Sequence, residues 1–253
     1  MDAADPAIVV EGLTLAYGSF VVQRGLSFAI ERGEIFVVMG DSGCGKSTLL
    51  RHMVGLLRPF AGRVLIEGRD PWSDDHVERA AARSGLGVMY QQGALWSSMT
   101  LAENIDLPLG EYTELAASER RELASYKLAL VGLAGFEDHL PSEVSGGMRK
   151  RAALARAMAL DPTVLFVDEP SAGLDPISAR LLDDLILELR DSLRATIVIV
   201  THELASIFAV ADRAVFLDAV ERTSTAIGRP QDLLAEPPNE KVGRFLRRGA
   251  TPS

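Results

Sequence analysis

The chain has 253 residues, 47% of them hydrophobic, a formal net charge of −9 and one cysteine. That length buries a sizeable core, yet no apolar run approaches the ~20 residues that span a bilayer. The acidic balance speaks against nucleic acid and anionic lipid, and a lone thiol, Cys44, excludes an internal disulfide or a cysteine metal cluster. Met1-Asp-Ala-Ala-Asp-Pro6 carries neither a basic leader nor an apolar signal core, so a cytoplasmic chain is expected, held at a membrane only through a partner.

Ile8–Tyr17 and Gln23–Ile30 are rich in β-branched and aromatic residues broken by Gly18 and Gly33, which predicts a small sheet. Ile35–Met39 is a continuous apolar run, the pattern of a strand buried on both faces. Gly40-Asp41-Ser42-Gly43-Cys44-Gly45-Lys46-Ser47-Thr48 follows at once and fits the phosphate-binding pattern G-x-x-x-x-G-K-[ST]. From Ser47 to Leu57 apolar residues fall at helical spacing. Strand, glycine-rich turn and helix N-terminus aim backbone N–H groups and a positive dipole end at one point, which suits a triphosphate. Lys46 adds a charge for the β- and γ-phosphates, and the Ser47 hydroxyl can ligate Mg²⁺. Cys44 sits at a free position of the loop and reads as a small filler rather than a nucleophile.

Gly62–Gly68 predicts another short strand, and Leu86–Tyr90 a brief apolar one that ends at Gln91. Residues 92–143 then turn helical, with Ser118 a candidate cap for a helix running through Leu133. Alternation returns afterwards: Arg149–Leu160 helical, Val164–Val167 a strand, Ala179–Leu193 helical, Ala195–Val200 a strand. Glu203–Ala211 reads as helix and Ala214–Leu217 as a last strand. Apolar strands alternating with helices predict an α/β fold with a mostly parallel sheet covered on both faces. An N-terminal antiparallel β subdomain and an inserted α-helical subdomain, about residues 92–145, complete that expectation.

The strand from Val164 ends in two acids, and such a strand delivers carboxylates to the sheet edge beside a phosphate loop. Asp168 is expected to share Mg²⁺ with Ser47, and Glu169 to orient or deprotonate a water next to the γ-phosphate. Pro170 and Gly173 force a turn that carries Asp175. Ser145, Gly146 and Gly147 precede a strong helix, as either a second anion-accepting N-terminus or an ordinary N-cap.

Phosphate loop, Gln91, Ser145-Gly146-Gly147, Asp168-Glu169 and His202 occur in the order found in the ATP-binding cassette (ABC) family. The chain resembles that family over nearly its whole length. The resemblance implies the P-loop cassette fold over residues 7–228, a C-terminal tail over 229–253, and ATP and Mg²⁺ as cofactors. It implies that Gly40 to Thr48, Asp41, Ser42 and Cys44 included, form the Walker A loop around the phosphates. Gln91 matches the Q-loop glutamine, which reaches the metal and links the site to a transmembrane partner. Asp168 matches the Walker B metal ligand, Glu169 the catalytic glutamate, Asp175 the D-loop, and His202 the switch histidine at the γ-phosphate. Tyr17 stands where the family places a ring against adenine, with a simple strand-edge tyrosine the alternative. His52, His76 and His139 match no motif and read as surface or packing residues.

In this family the signature serine and glycines complete the site of the opposite subunit. The resemblance therefore implies a homodimer in which Ser145, Gly146 and Gly147 close the outer side of a partner's γ-phosphate and exclude solvent. Met148 departs from the commonest pattern, Leu-Ser-Gly-Gly-Gln. Ser-Gly-Gly-Met, together with Gln91–Trp96 and Asp168–Pro176, resembles the ATPase of Mla/Mce-type lipid transporters. That branch implies a peripheral protein on the cytoplasmic face of the inner membrane, docked on a permease dimer. An Mce-domain lipid-binding protein and a small STAS-like regulatory subunit are further partners it implies.

An importer of small polar solutes is the alternative within transport. A cassette acting on DNA or ribosomes is the alternative outside it; the long coiled coil or second cassette of such proteins is absent from this sequence, as is a basic footprint. Residues 94–105, with Trp96, Met99 and Leu101 as anchors, either line a permease-docking groove or belong to the core of the helical insert. Lys241–Arg248 reads as a solvated basic helix end, or as a contact to the neighbouring subunit or lipid headgroups.

Overall fold

A computed structural model describes residues 5–248. The first four residues, which carry most of the leader reading, and the last five of the tail lie outside the described residues. In chain order the elements are β1 (Ile8–Tyr17), β2 (Phe20–Ile30), β3 (Ile35–Met39), α1 (Lys46–Met53), β4 (Ala61–Ile66) and α2 (His76–Ser84). Then come β5 (Leu86–Met89), α3 (Leu101–Tyr112), α4 (Ala117–Leu130), α5 (Gly146–Ala157), β6 (Val164–Asp168) and α6 (Pro176–Leu193). The chain continues with β7 (Thr196–Val200), α7 (Leu204–Val210), β8 (Arg213–Asp218), β9 (Thr223–Gly228), α8 (Pro230–Ala235) and α9 (Glu240–Arg247).

Two sheets organise these elements. A 3-stranded antiparallel sheet runs β2-β1-β4, and a 6-stranded sheet runs β5-β6-β7-β3-β8-β9. All neighbours of the larger sheet are parallel except β8 and β9. Its central strands are buried at nearly every position and mostly apolar, β3 throughout, because both faces are covered. On β3, Ile35, Val37 and Met39 join the core shared with the helices, while Phe36 and Val38 point to the core under the small sheet. The same alternation splits Leu165 and Val167 from Val164 and Phe166 on β6. Each such side chain contributes about 1.5–3 kcal/mol on burial, so a one-residue slip of register would exchange the two cores.

Boundaries moved where local geometry intervened. The helix after the phosphate loop stops at Met53, not Leu57, because Gly55 turns the backbone at φ 75°. Ser118 lies inside the first turn of α4; Ala116 is the N-cap, and the Glu119 carboxylate accepts its backbone N–H at 2.7 Å. α2, β9 and α8 were not expected from periodicity; β9 is a strand because it pairs antiparallel with β8. The C-terminal helix α9 is not a solvated end. Val242, Phe245 and Leu246 are buried in the main core, with Phe245 edge-on to Phe216 at 5.2 Å between ring centres.

Candidate nucleotide site

β3 lies between β7 and β8, so its carboxyl end opens where the connections diverge, and the glycine-rich loop occupies that opening. The loop's shape is fixed by its glycines and its neighbours. Gly40 has φ 148°, and a Cβ there would lie 2.5 Å from the Leu217 carbonyl oxygen. Gly45, at φ 101°, immediately precedes α1, and a Cβ on it would strike Val22 at 2.6 Å. The Lys46 ammonium curls back to donate to the carbonyls of Gly40 at 2.9 Å and Asp41 at 3.2 Å. Below the loop the buried Gln23 amide donates to the Cys44 carbonyl at 2.6 Å and to that of Asp218 at 3.0 Å. Cys44 itself is buried, and burial pushes its thiol up, which suits a filler and not a nucleophile.

A cleft of about 450 Å³ opens above this loop, and Tyr17, Lys46, Ser47, Gln91, Glu169 and His202 all line it. Ser47 Oγ donates to Asp168 Oδ1 at 3.2 Å. Burial pushes the Asp168 carboxyl up, and the Ser47 hydroxyl works against that rise. Glu169, directly after β6, turns back at φ 47°, a left-handed conformation that is costly for a residue with a Cβ. Its backbone N–H donates to the Val200 carbonyl at 2.8 Å; its carboxylate sits 2.8 Å from His202 Nδ1 and accepts the Thr201 hydroxyl at 3.2 Å. The Lys150 ammonium, buried on α5, donates to the backbone carbonyls of Gln91 and Glu169. Burial pushes that ammonium down, opposed by the charges of Glu169 and Asp168.

The structure thus brings Gly40–Thr48, Tyr17, Gln91, Asp168, Glu169 and His202 to one sheet edge. Tyr17 is half-exposed at the cleft rim, its hydroxyl 3.5 Å from Thr48 Oγ1, and the exposed Phe20 stands beside it with the Arg222 guanidinium over its ring. Asp41 faces away from the cleft lining to pair with Arg248 at 3.1 Å. Ser145, Gly146, Gly147 and Asp175 are not in this cleft. Ser145 caps α5 by accepting the Met148 N–H at 3.2 Å, Gly146 lines a separate hollow with Gln91 and Leu174, and Met148 packs on the core. Asp175 caps α6 by accepting the N–H groups of Ile177 and Ser178; the Ser178 hydroxyl and these donors hold its carboxyl below the usual range.

Lys150, Thr201, Gln23 and Phe20 were not singled out by the sequence. Thr201 and Lys150 flank motif residues, so adjacency was the available signal; nothing in the pattern of β2 marks Gln23 as buried. Among the proposed groove anchors, Leu101 is core, Met99 is half-buried and Trp96 is 58% exposed. His52 is buried and donates from Nδ1 to the Thr48 carbonyl at 2.8 Å, a packing residue as expected. No helix among the described residues is long and apolar enough to cross a membrane.

A profile of the ABC transporter family matches residues 23–172, more than half of the chain and the stretch that holds both the loop and Glu169. The chain belongs to the ABC transporter family. Among relatives of this cassette, the probable ribonucleotide transport ATP-binding protein mkl of Mycobacterium tuberculosis H37Rv is 40% identical over 240 residues. That match covers 95% of this chain but 66% of the mycobacterial protein. The intermembrane phospholipid transport system ATP-binding protein MlaF of Haemophilus influenzae is 37% identical, covering 95% of this chain and 90% of its own length. Among solved structures, cbiO1 of Clostridium perfringens, part of the ABC transporter complex cbiONQ, superposes with a TM-score of 0.83 at 27% identity, covering 97% and 96% of the two chains. The cassette MJ0796, a dimer in a post-hydrolysis state bound to ADP and Pi, gives 0.78 at 28% identity over 88% of this chain and 98% of its own.

Proposed function

We propose that this cassette hydrolyses ATP and couples the energy to moving phospholipid or another lipid through a separate integral membrane permease. The observation that carries the hydrolytic reading is Glu169: its carboxylate lines the cleft with Lys46 and Ser47 and is oriented by both His202 and Thr201. Held there, a carboxylate can take a proton from a water facing the γ-phosphate, while His202 contacts the phosphate itself. The backbone N–H groups of Gly43 to Thr48 and the Lys46 ammonium are the groups to bind the β- and γ-phosphates. Tyr17 is the ring to stack on adenine.

The donors fit Mg²⁺. Ser47, Asp168 and Gln91 offer hydroxyl, carboxylate and amide oxygen, the hard ligands this ion takes. Such a set of one carboxylate and two neutral oxygens suits an ion that takes its remaining ligands from water and substrate phosphates. When bound, the ion would neutralise charge on the transferring phosphoryl group.

Ser145, Gly146 and Gly147 stand at a helix N-terminus outside their own cleft, which supports closure of a second copy's site and a homodimer through the ATP sites. MJ0796 is a dimer. The permease would dock a cytoplasmic helix in the apolar cleft of about 610 Å³ between β5, α3 and α5, lined by Val88, Tyr90, Leu107 and Tyr112. That cleft ends at Tyr90, one residue from Gln91, so a shift of the docked helix reaches the nucleotide cleft directly. Peripheral attachment at the cytoplasmic face, an Mce-domain partner and a STAS-like subunit belong to the same reading.

Lipid is preferred as cargo because the likeness to MlaF spans 90% of that protein and because Ser145–Met148 resembles the lipid branch. The competing cargo is a small polar solute, since relatives include mkl and a glycine betaine/carnitine transport ATP-binding protein of Listeria monocytogenes. Extracting the complex from membranes and identifying bound molecules by mass spectrometry separates the two. Enriched phospholipid, and ATPase stimulation by phospholipid vesicles, supports the lipid reading; stimulation by a ribonucleotide or betaine with no lipid enrichment overturns it.

A further inference from the structure

Behind the nucleotide cleft lies a buried hydrogen-bond chain that the proposed chemistry does not use. Ser171 Oγ is 3.3 Å from Ser206 Oγ, and the Ser206 hydroxyl donates to Asp183 Oδ2 at 3.0 Å. The three residues come from three places: the turn after β6, α7 and α6. All are withdrawn from solvent, Asp183 at 4% exposure, Ser206 at 3% and Ser171 at 6%. Ser206 gives its proton to Asp183, so its oxygen is left to accept from Ser171. The chain therefore has a direction, from Ser171 through Ser206 to Asp183.

Its position matters because of Glu169. A non-glycine residue at φ 47° is strained and persists only where its surroundings over-determine it. On the amino side the Val200 carbonyl, Thr201 and His202 hold Glu169. On the carboxyl side Ala172 donates back to the Glu169 carbonyl at 3.3 Å, and Ser171 is tied to Ser206. Ser206 lies on the helix that begins immediately after His202 and Glu203. One serine thus follows the carboxylate, the other follows the imidazole, and a single acceptor on a third element orients both.

We propose that Asp183 is a positioning residue for hydrolysis: through Ser206 and Ser171 it locks the turn carrying Glu169 to the helix following His202, keeping carboxylate and imidazole in line. The inference rests on the assignment of Glu169 and His202 to hydrolysis. Ser171→Ala is the decisive variant, because it cuts the chain yet leaves Asp183 its Ser206 partner, so no buried carboxylate is orphaned.

Measured on the full chain, Ser171→Ala and Ser206→Ala should each lower kcat about tenfold while KM for ATP stays within about twofold. The double variant should match either single one, and Asp183→Asn, which still accepts from Ser206, should lose less than Asp183→Ala. Losses that add, or a lowered melting temperature with kcat per nucleotide-binding molecule unchanged, overturn the positioning role. Glu169→Gln run in parallel separates the two levels. If it hydrolyses normally the site assignment fails; if it is inactive while Ser171→Ala and Ser206→Ala turn over like the parent, only the positioning role fails.

Discussion

Glu169 Oε1 lies 2.8 Å from His202 Nδ1, a contact between the ends of two adjacent strands, β6 and β7, from residues 33 apart in sequence. The second carboxylate oxygen is taken by the Thr201 hydroxyl. The carboxylate therefore has a defined orientation before any substrate arrives, as a general base requires.

Glu169→Gln should leave ATP affinity within about twofold and cut turnover at least about 100-fold, the scale of a lost general base. The amide keeps the shape and the Thr201 contact but cannot take a proton. Phosphate release under saturating ATP, alongside a nucleotide titration, reads both quantities; turnover near that of the parent rules out the assigned role.

Lys46→Ala should weaken nucleotide binding itself by about 10–100-fold, since a hydrogen bond to a charged group contributes about 1.5–3 kcal/mol. Lys46 also ties the loop together through the Gly40 and Asp41 carbonyls. Arginine should not rescue it, because a planar fork cannot replace a compact ammonium curled beneath the loop. Titration calorimetry with ATP and Mg²⁺ checks both variants.

Gly40→Ala and Gly43→Ala test different costs within one loop. At Gly40 the new Cβ meets the Leu217 carbonyl oxygen at 2.5 Å and the Cys44 sulfur at 2.8 Å, so backbone must move. At Gly43, φ 77°, nothing lies within 4 Å, and the cost is the backbone conformation alone, about 1–2 kcal/mol. Thermal unfolding should drop markedly further for Gly40→Ala; equal shifts would show that the neighbours yield freely.

His52 predicts a pH effect on stability. Burial lowers its pKa from the ordinary imidazole value of 6.5, opposed by the Thr48 and Arg58 carbonyls. The fold thus favours the neutral ring, and the unfolded chain binds the proton more readily. Its contribution is whole above the ordinary imidazole value and is lost as pH falls from there through the lower folded value. Relative to His52→Gln, the parent should lose stability on acidification across that window. Parallel pH slopes for the two in denaturant unfolding would refute it.

Much of this architecture was legible because local chemistry leaves a local mark. Gly40 to Thr48 announces a phosphate cradle by spacing alone, since its glycines and lysine act within one turn. The runs Ile35–Met39 and Val164–Val167 announce buried strands because both faces are apolar. α2 and β9 left no such mark. β9 is a strand only because β8 offers it a partner, and Asp75 starts α2 by accepting the Val77 N–H at 2.8 Å rather than through apolar periodicity.

The ordered motifs carried the resemblance to the cassette family. The loop from Gly40 to Thr48 by itself carried the expectation of a triphosphate, for that loop acts through residue type and spacing within one turn. Only the folded chain decided that Leu101 is core while Trp96 is open, and that α9 packs its apolar face inward. The same is true of Gln23 supporting the loop from below and of Asp183, Ser206 and Ser171 lining up behind Glu169. Those contacts join residues far apart along the chain. A side chain's burial and its hydrogen-bond partner are set by what packs against it, and no spacing rule within one segment records that.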